Sequence, residues 1–316
     1  MTQTAAARRD RERQHLGDLP DELLGFDEPI RGGLRVGAPG KVGVLELDLI
    51  STNGVTRVHR QYQQAPLHVF RPIHLDPGRP EMAFIFVQQS GDGYVQGDRC
   101  RVDVACMPGT ATHVTTQATT KIFAARDNVA TQLVTFDVAA NAVLEYLPDP
   151  VIPCRGARFF QRTTVTADET STVILGETLL PGRVAHGERH VYDLYWSETE
   201  VRRPDGRLLF ADVLRFSPPH GADPASSGVC GGHDVVASLY VVTGRVDAPA
   251  LVALARERLE VGPDVLVGVS ELPNDCGIVT RILGPSSQSV RAAVTNTWSE
   301  VRRVLLGAPA PSQRKG

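Results

Sequence analysis

The chain has 316 residues, a formal charge of -3, 42% apolar and 22% charged residues, and only 6% aromatic side chains. That mix describes a globular protein able to bury a sizeable core. It supplies no basic field to draw in nucleic acid or an anionic membrane, and few rings on which bases would stack. No apolar run approaches the roughly 18 residues that a bilayer span needs. The opening "MTQTAAARRDRERQH" mixes Arg with Asp and Glu and holds no apolar signal segment. The five cysteines are an odd number, widely scattered and without a Cys-x-x-Cys pair, so free thiols in a reducing cytoplasm are expected rather than a disulfide framework.

Residues 1–40 are charged, then rich in Gly and Pro, and read as a mobile arm with a short helix near "LPDELLG". From Lys41 the period switches to two. "LELDL" alternates Leu45, Leu47 and Leu49 with Glu46 and Asp48, and "STNG" turns the chain into "VTRVHRQ". Further strands are predicted at "MAFIFVQ", "CRVDVAC", "ATHVTT", "TQLVTFDV", "AVLEYL", "FFQRTTVTA", "TVILGE", "HVYDLYWSETEV" and "LLFADVLRF", the last two joined by a hairpin at "RPDGR". Short strands with no intervening helices indicate an all-β body, reaching to about residue 246.

Two helices come late. Asp247 and Pro249 open the first, which presents Leu251, Leu254, Ala255 and Leu259 and ends by Gly262-Pro263. Ser286 or Ser287 caps the second, with a stripe of Val290, Ala293, Val294, Trp298, Val301 and Leu305 before Gly307. Between them "VLVGVSELPNDCGIVTRIL" reads as a hairpin turned at "PNDCG". The chain is thus expected to be one domain over residues 41–306, with a helix-containing section from 247 and a disordered tail at 307–316.

Alternate side chains of a strand point to opposite faces, so parity shows which acids turn inward. Asp212 shares the parity of Leu208, Phe210, Leu214 and Phe216. Glu177 goes with Val173, Leu175 and Leu179, Glu145 with Val143 and Leu147, and Asp98 with Cys100, Val102, Val104 and Cys106. A carboxylate buried alone costs several kcal/mol and needs a partner, water or a cation. For any one site a structural ion pair with Arg, or a register slip at a bulge, is the simpler reading. Four such acids in one β body suit passage of a hard or borderline cation, which oxygen ligands hold without trapping.

The stretch "GDGYVQGD", Gly91 to Asp98, carries two Gly-Asp steps. Gly91 to Gly93 reads as a turn, and Asp98 as functional. Cys230 and His233 in "GVCGGH" have Cys-x-x-His spacing but no second ligand pair, so a Gly-rich loop is expected there. His186 and His190 flank Glu188 on a segment read as turn and strand, where they do not converge on a metal. Lys121, in "TTQATTKIF", lacks the glycines of a phosphate-cradling loop.

Taken in order, these segments resemble the urease accessory protein D family. "GYVQGD" is similar to the family's "GGxxGGD" and "TTQATTKIF" to its "TTPGASKFY". "LEYLPDP" matches its "LEWLPQ", "GETLLPGRVAHGE" its "GRxxxGE" element, and "LLFADVLRF" its apolar strand bearing an acid. Gln96 stands where the family has glycine, and Phe123 where it has tyrosine. The resemblance runs from about Val42 to Leu306 and implies an all-β, β-helical stack with a helical C-terminal section. It implies no enzymatic activity and no tightly bound cofactor. The implied role is a scaffold between apo-urease and two other accessory proteins, one helical and one a GTPase, with nickel ions in transit through a polar interior. Positions implied along that route are Asp98, Thr120, Glu177 and Asp212, three of them also singled out by parity; Glu145, Lys121 and Glu188 are secondary candidates. The competing reading is an all-β carbohydrate-binding protein or hydrolase using Asp98, Glu177 and Asp212 across one open cleft. A third is an adaptor in which every acid is paired with Arg.

Overall fold

A computed structural model describes residues 19–26, 38–221, 223–224, 226–259 and 262–312. The rest of the expected arm and the last four residues of the expected tail lie outside the described residues.

The chain starts with a hairpin, β1 (Val42–Thr52) and β2 (Val55–Gln64), turned at Asn53 and Gly54, both in the left-handed region. There follow β3 (Leu67–Val69) and β4 (Ala83–Gln89), and then strands that change sheet at nearly every step. β5 (Arg99–Cys106), β8 (Ala130–Val138), β11 (Arg158–Ala167) and β13 (Leu194–Arg202) join β1 as parallel neighbours in one sheet. Alternating with them along the chain, β6 (Ala111–Thr116), β9 (Val143–Tyr146) and β12 (Thr172–Leu179) join β4 in the other. Each circuit of the chain lays one strand on each sheet, which makes a solenoid-like stack. Two three-residue strands, β7 (Thr120–Ile122) and β10 (Val151–Pro153), pair in parallel on the connecting side.

Antiparallel strands close the stack at both ends. β2 and β3 finish one end. At the other, β14 (Leu208–Phe216) pairs with β13 through the predicted hairpin, where Arg203 N–H donates to Arg207 O at 2.9 Å. β15 (Val235–Thr243), β17 (Gly277–Gly284) and β16 (Leu266–Glu271) extend the second sheet. The sheets thus have seven and ten strands. Among the described residues there are three α-helices: α1 (Ser227–Cys230), α2 (Ala248–Arg258) and α3 (Ser287–Leu306).

The largest core lies between the sheets, built on Leu45, Leu47, Val104, Phe136, Phe159, Val173 and Tyr240. α2 and α3 cover the outer face of the ten-stranded sheet, pressing Leu251, Trp298, Val301 and Leu305 onto Phe84, Ile174 and Ile278. That sheet is therefore buried on both faces, which is why every residue of β9 and β15 is buried. On the outer face of the seven-stranded sheet the turn of helix at Asp21–Phe26, within the segment expected to be an arm, sets Leu23 among Val129, Phe160, Leu194 and Trp196. α3 begins at Ser286, whose hydroxyl accepts from Ser289 N–H at 3.1 Å, and stops at Gly307 with φ 74°. One predicted strand starts later than expected. "HVYDLYWSETEV" becomes β only at Leu194, because His190 adopts φ 53°, a conformation no strand accommodates.

Candidate functional site

Between the sheets lies a narrow polar cavity of about 30 Å³, partly open to solvent. β12 brings Glu177 to it on the face of Val173 and Leu175, as strand parity predicts, and β7 brings Thr120. Gln132, Tyr146, Gln161, Ser197 and Tyr240 add to the polar wall, together with Asp149 and several threonines. Tyr195 O–H donates to Glu177 Oε1 at 2.7 Å, and Gln161 Nε2 donates to the same oxygen at 3.2 Å. Among the described residues no Lys, Arg or His lies within ion-pair distance of Glu177. Loss of water therefore raises its carboxyl above the ordinary range, only partly offset by the hydroxyl bonds. Its negative charge and burial in turn push Tyr195 well up.

Asp212 also turns inward, from β14, and reaches across to the other sheet. Its Oδ1 meets Arg281 Nη2 at 2.6 Å, and its Oδ2 accepts from the Tyr240 hydroxyl. Glu177 is within electrostatic reach of both Asp212 and Arg281. So the structure brings Thr120, Glu177 and Asp212 into one neighbourhood.

Asp98 sits apart, on the turn before β5. It is 1% exposed and accepts from Lys41 N–H at 2.9 Å and Val95 N–H at 3.0 Å, so its carboxylate organises backbone. Burial still raises its pKa more than those bonds lower it. It borders a different recess from Glu177, with Lys41, Gly93 and Phe123. The three acids thus do not line a single cleft. Gly93 is needed here for itself. Its φ is 148°, and a Cβ would stand 2.1 Å from Lys121 O, the carbonyl that accepts from Tyr94 N–H.

The secondary candidates fall elsewhere. Glu145, fully buried, faces the helices rather than the cavity. It pairs with His113 Nδ1 at 2.8 Å and Arg302 Nε at 2.9 Å, and Arg302 also reaches Asp76. Glu188 is gripped by two nitrogens of Arg183, which hold its carboxyl below the usual range. Lys121 is half-buried on β7. His190 bonds Asp234, and all five cysteines are unpaired and buried. Burial pushes the Cys100 thiol up to about 12. Among the described residues no three His, Cys, Asp or Glu side chains gather as a metal cluster, and no helix is long and apolar enough to cross a membrane.

Sequence reasoning missed Gln161, Ser197 and Tyr240 at the cavity, Arg281 beside it on Asp212, and His113, Asp76 and Arg302 beneath the helices. Tyr195 and Ser197 share a parity within one predicted strand and were legible as an inward polar pair. The others come together only through sheet register.

A family model for the UreD urease accessory protein matches residues 41–316. Among curated proteins, a "Urease accessory protein UreD 2" of Streptomyces griseus is 43% identical over 283 residues, covering 89% of this chain and 96% of that one. A UreD 3 protein of Methylorubrum populi is 37% identical across 94% of this chain and 96% of its own length. A UreD protein of the archaeon Cenarchaeum symbiosum is 32% identical across 90% and 99%. The order of motifs from Val42 onward, the solenoid-like stack and these relatives agree, and the chain belongs to the UreD urease accessory protein family.

Proposed function

We propose that the chain is a non-catalytic, cytoplasmic maturation factor for urease. In this reading it bridges apo-urease to a helical accessory protein and, through that, to a GTPase accessory protein. Ni²⁺ is its cargo, passed through the polar space between the sheets without a resident cofactor. The observation that carries this reading is Glu177. Its carboxylate faces hydroxyls and an amide on a cavity wall, with no ion-pair partner of its own. Oxygen ligands in such a setting attract a divalent cation and release it again. Thr120 shares that lining, and Asp212 meets it through the Tyr240 hydroxyl. Asp98 contributes in this scheme by fixing the turn beside the Lys41 recess and by its charge.

The test replaces Glu177 by Gln, which keeps shape and hydrogen bonding and removes the charge. Complexes with urease and its accessory proteins are recovered, and the nickel in the urease is measured. The expected result is an intact complex with several-fold less nickel. An intact complex with normal nickel overturns the route. Asp98→Ala is expected to lose the complex instead, because two backbone N–H groups lose their acceptor.

A further inference from the structure

Arg281 is bonded to Asp212 beside the inter-sheet cavity, and its placement differs from that of Arg302, which also clamps inward acids. Sheet register sets Glu177, Ser238 and Arg281 in one row across β12, β15 and β17. Arg281 Nη1 donates to the Ser238 hydroxyl and to Tyr240 Oη at 3.2 Å, its guanidinium carbon lies 5.5 Å from the Tyr240 ring centroid, and Nη2 holds Asp212 at 2.6 Å. Both oxygens of Asp212 are thereby taken, one by Arg281 and one by Tyr240. Arg302, by contrast, is wholly enclosed, whereas the Arg281 side chain is 41% exposed. The neighbouring position on β16 in the same register is Gly268, around which a Cβ would meet nothing within 4 Å. The guanidinium therefore has an open flank on the side away from the cavity.

We infer that Arg281 is a tethered counter-cation that gates Asp212 beside the cavity, holding the place that a divalent cation takes only when the guanidinium swings out. This rests on the nickel-route reading, and it adds a residue that sets when the acids are available. A flexible side chain anchored to one sheet and paired to the other moves without unfolding either strand. While it is docked, the positive charge repels Ni²⁺, pairs with Asp212 and acts on Glu177 only from a distance. Once it is displaced, Asp212 loses its ion-pair partner while Glu177 stays within electrostatic reach and the Tyr240 hydroxyl stands between it and the cavity wall.

The test is a calorimetric titration of Ni²⁺ alone into the full-length chain. Arg281→Gln is expected to bind Ni²⁺ at least tenfold more tightly than the wild type. Arg281→Lys, which keeps the charge but not the forked contact, is expected to tighten it by a smaller factor and guards against a folding defect in the first variant. Asp212→Asn added to Arg281→Gln is expected to return the affinity to the wild-type level. Unchanged affinity in both single variants overturns the gate, as does tightening that survives the Asp212 change. The readout needs no urease. Tighter binding in Arg281→Gln together with normal loading by Glu177→Gln keeps the gate and removes the route, and the opposite pair of results does the reverse.

Discussion

Arg302→Met removes a cation from beneath α3 while roughly keeping its volume. Arg302 is wholly buried, with Nη2 at 2.5 Å from Asp76 Oδ2, Nε at 2.9 Å from Glu145 Oε1, and Nη1 donating to Pro309 O at 2.8 Å. Its loss leaves Glu145 with His113 as its ion-pair partner, and Asp76 with the bond from Gly78 N–H at 2.9 Å. Breaking a buried pair from one side costs about 3–5 kcal/mol, since the remaining charge stays desolvated. At about 2–4 °C per kcal/mol for a domain of 150–250 residues, the midpoint should fall by roughly 6–20 °C, toward the lower figure in this longer chain. Thermal unfolding by circular dichroism reads the shift. Arg162→Met is the control. It breaks a pair with Glu198 whose side chains are 28% and 19% exposed, and should cost less than about 1 kcal/mol. Neutralising all three groups together, with Asp76→Asn, Glu145→Gln and Arg302→Met, should recover much of the loss. If Arg302→Met and Arg162→Met shift the midpoint equally, burial is not what makes this cluster matter.

Gly93→Ala should destabilise the turn by about 1–3 kcal/mol from backbone strain alone, before the clash with Lys121 O is counted; a midpoint within error of wild type would show that the turn relocates freely. Glu177→Gln should change stability with pH in a definite direction. The raised carboxyl of Glu177 favours the protonated form in the fold, so its stabilising contribution is complete below the ordinary value of 4.5 and is lost as pH rises through the folded value. The Gln variant should therefore match the wild type in acid and exceed it near neutrality, and a gap that widens on acidification would refute the assignment.

Alternation located Glu177 and Asp212 correctly on inward faces, because each strand there has one apolar side toward the inter-sheet core. It could not separate Glu145 from Glu177. The ten-stranded sheet is buried on both faces, so parity says "inside" without saying which inside. The same double burial hid β15. "VVASLYVVT" has no polar alternation to mark it as a strand, although it is the strand that joins the parallel stack to the C-terminal hairpin. β7 and β10 are three residues each, too short to show any period. Asp98 was legible as special through its glycines, yet its work on the amides of Lys41 and Val95 depends on a chain crossing 57 residues away in sequence. Arg281 carried no signal at all. A lone Arg in "IVTRIL" looks like a solvated strand position until register places it beside Ser238.

The bond between Arg302 and Asp76 joins residues 226 apart in the chain, and Arg302 belongs to the last helix to be made. Synthesis at about 5–20 residues per second puts roughly 11–45 s between the two. Over that interval the nascent solenoid can stack its strands one coil at a time, but Asp76, and Glu145 once it is made, wait for the Arg302 guanidinium, and the outer face of the ten-stranded sheet lacks the cover of α3. The outer face of the ten-stranded sheet therefore closes only after α3 has been made, and an acidic, apolar sheet face stays exposed until then. A message truncated shortly before the Arg302 codon would yield a chain holding every described strand and lacking the guanidinium that pairs with Asp76 and Glu145 beneath the last described helix.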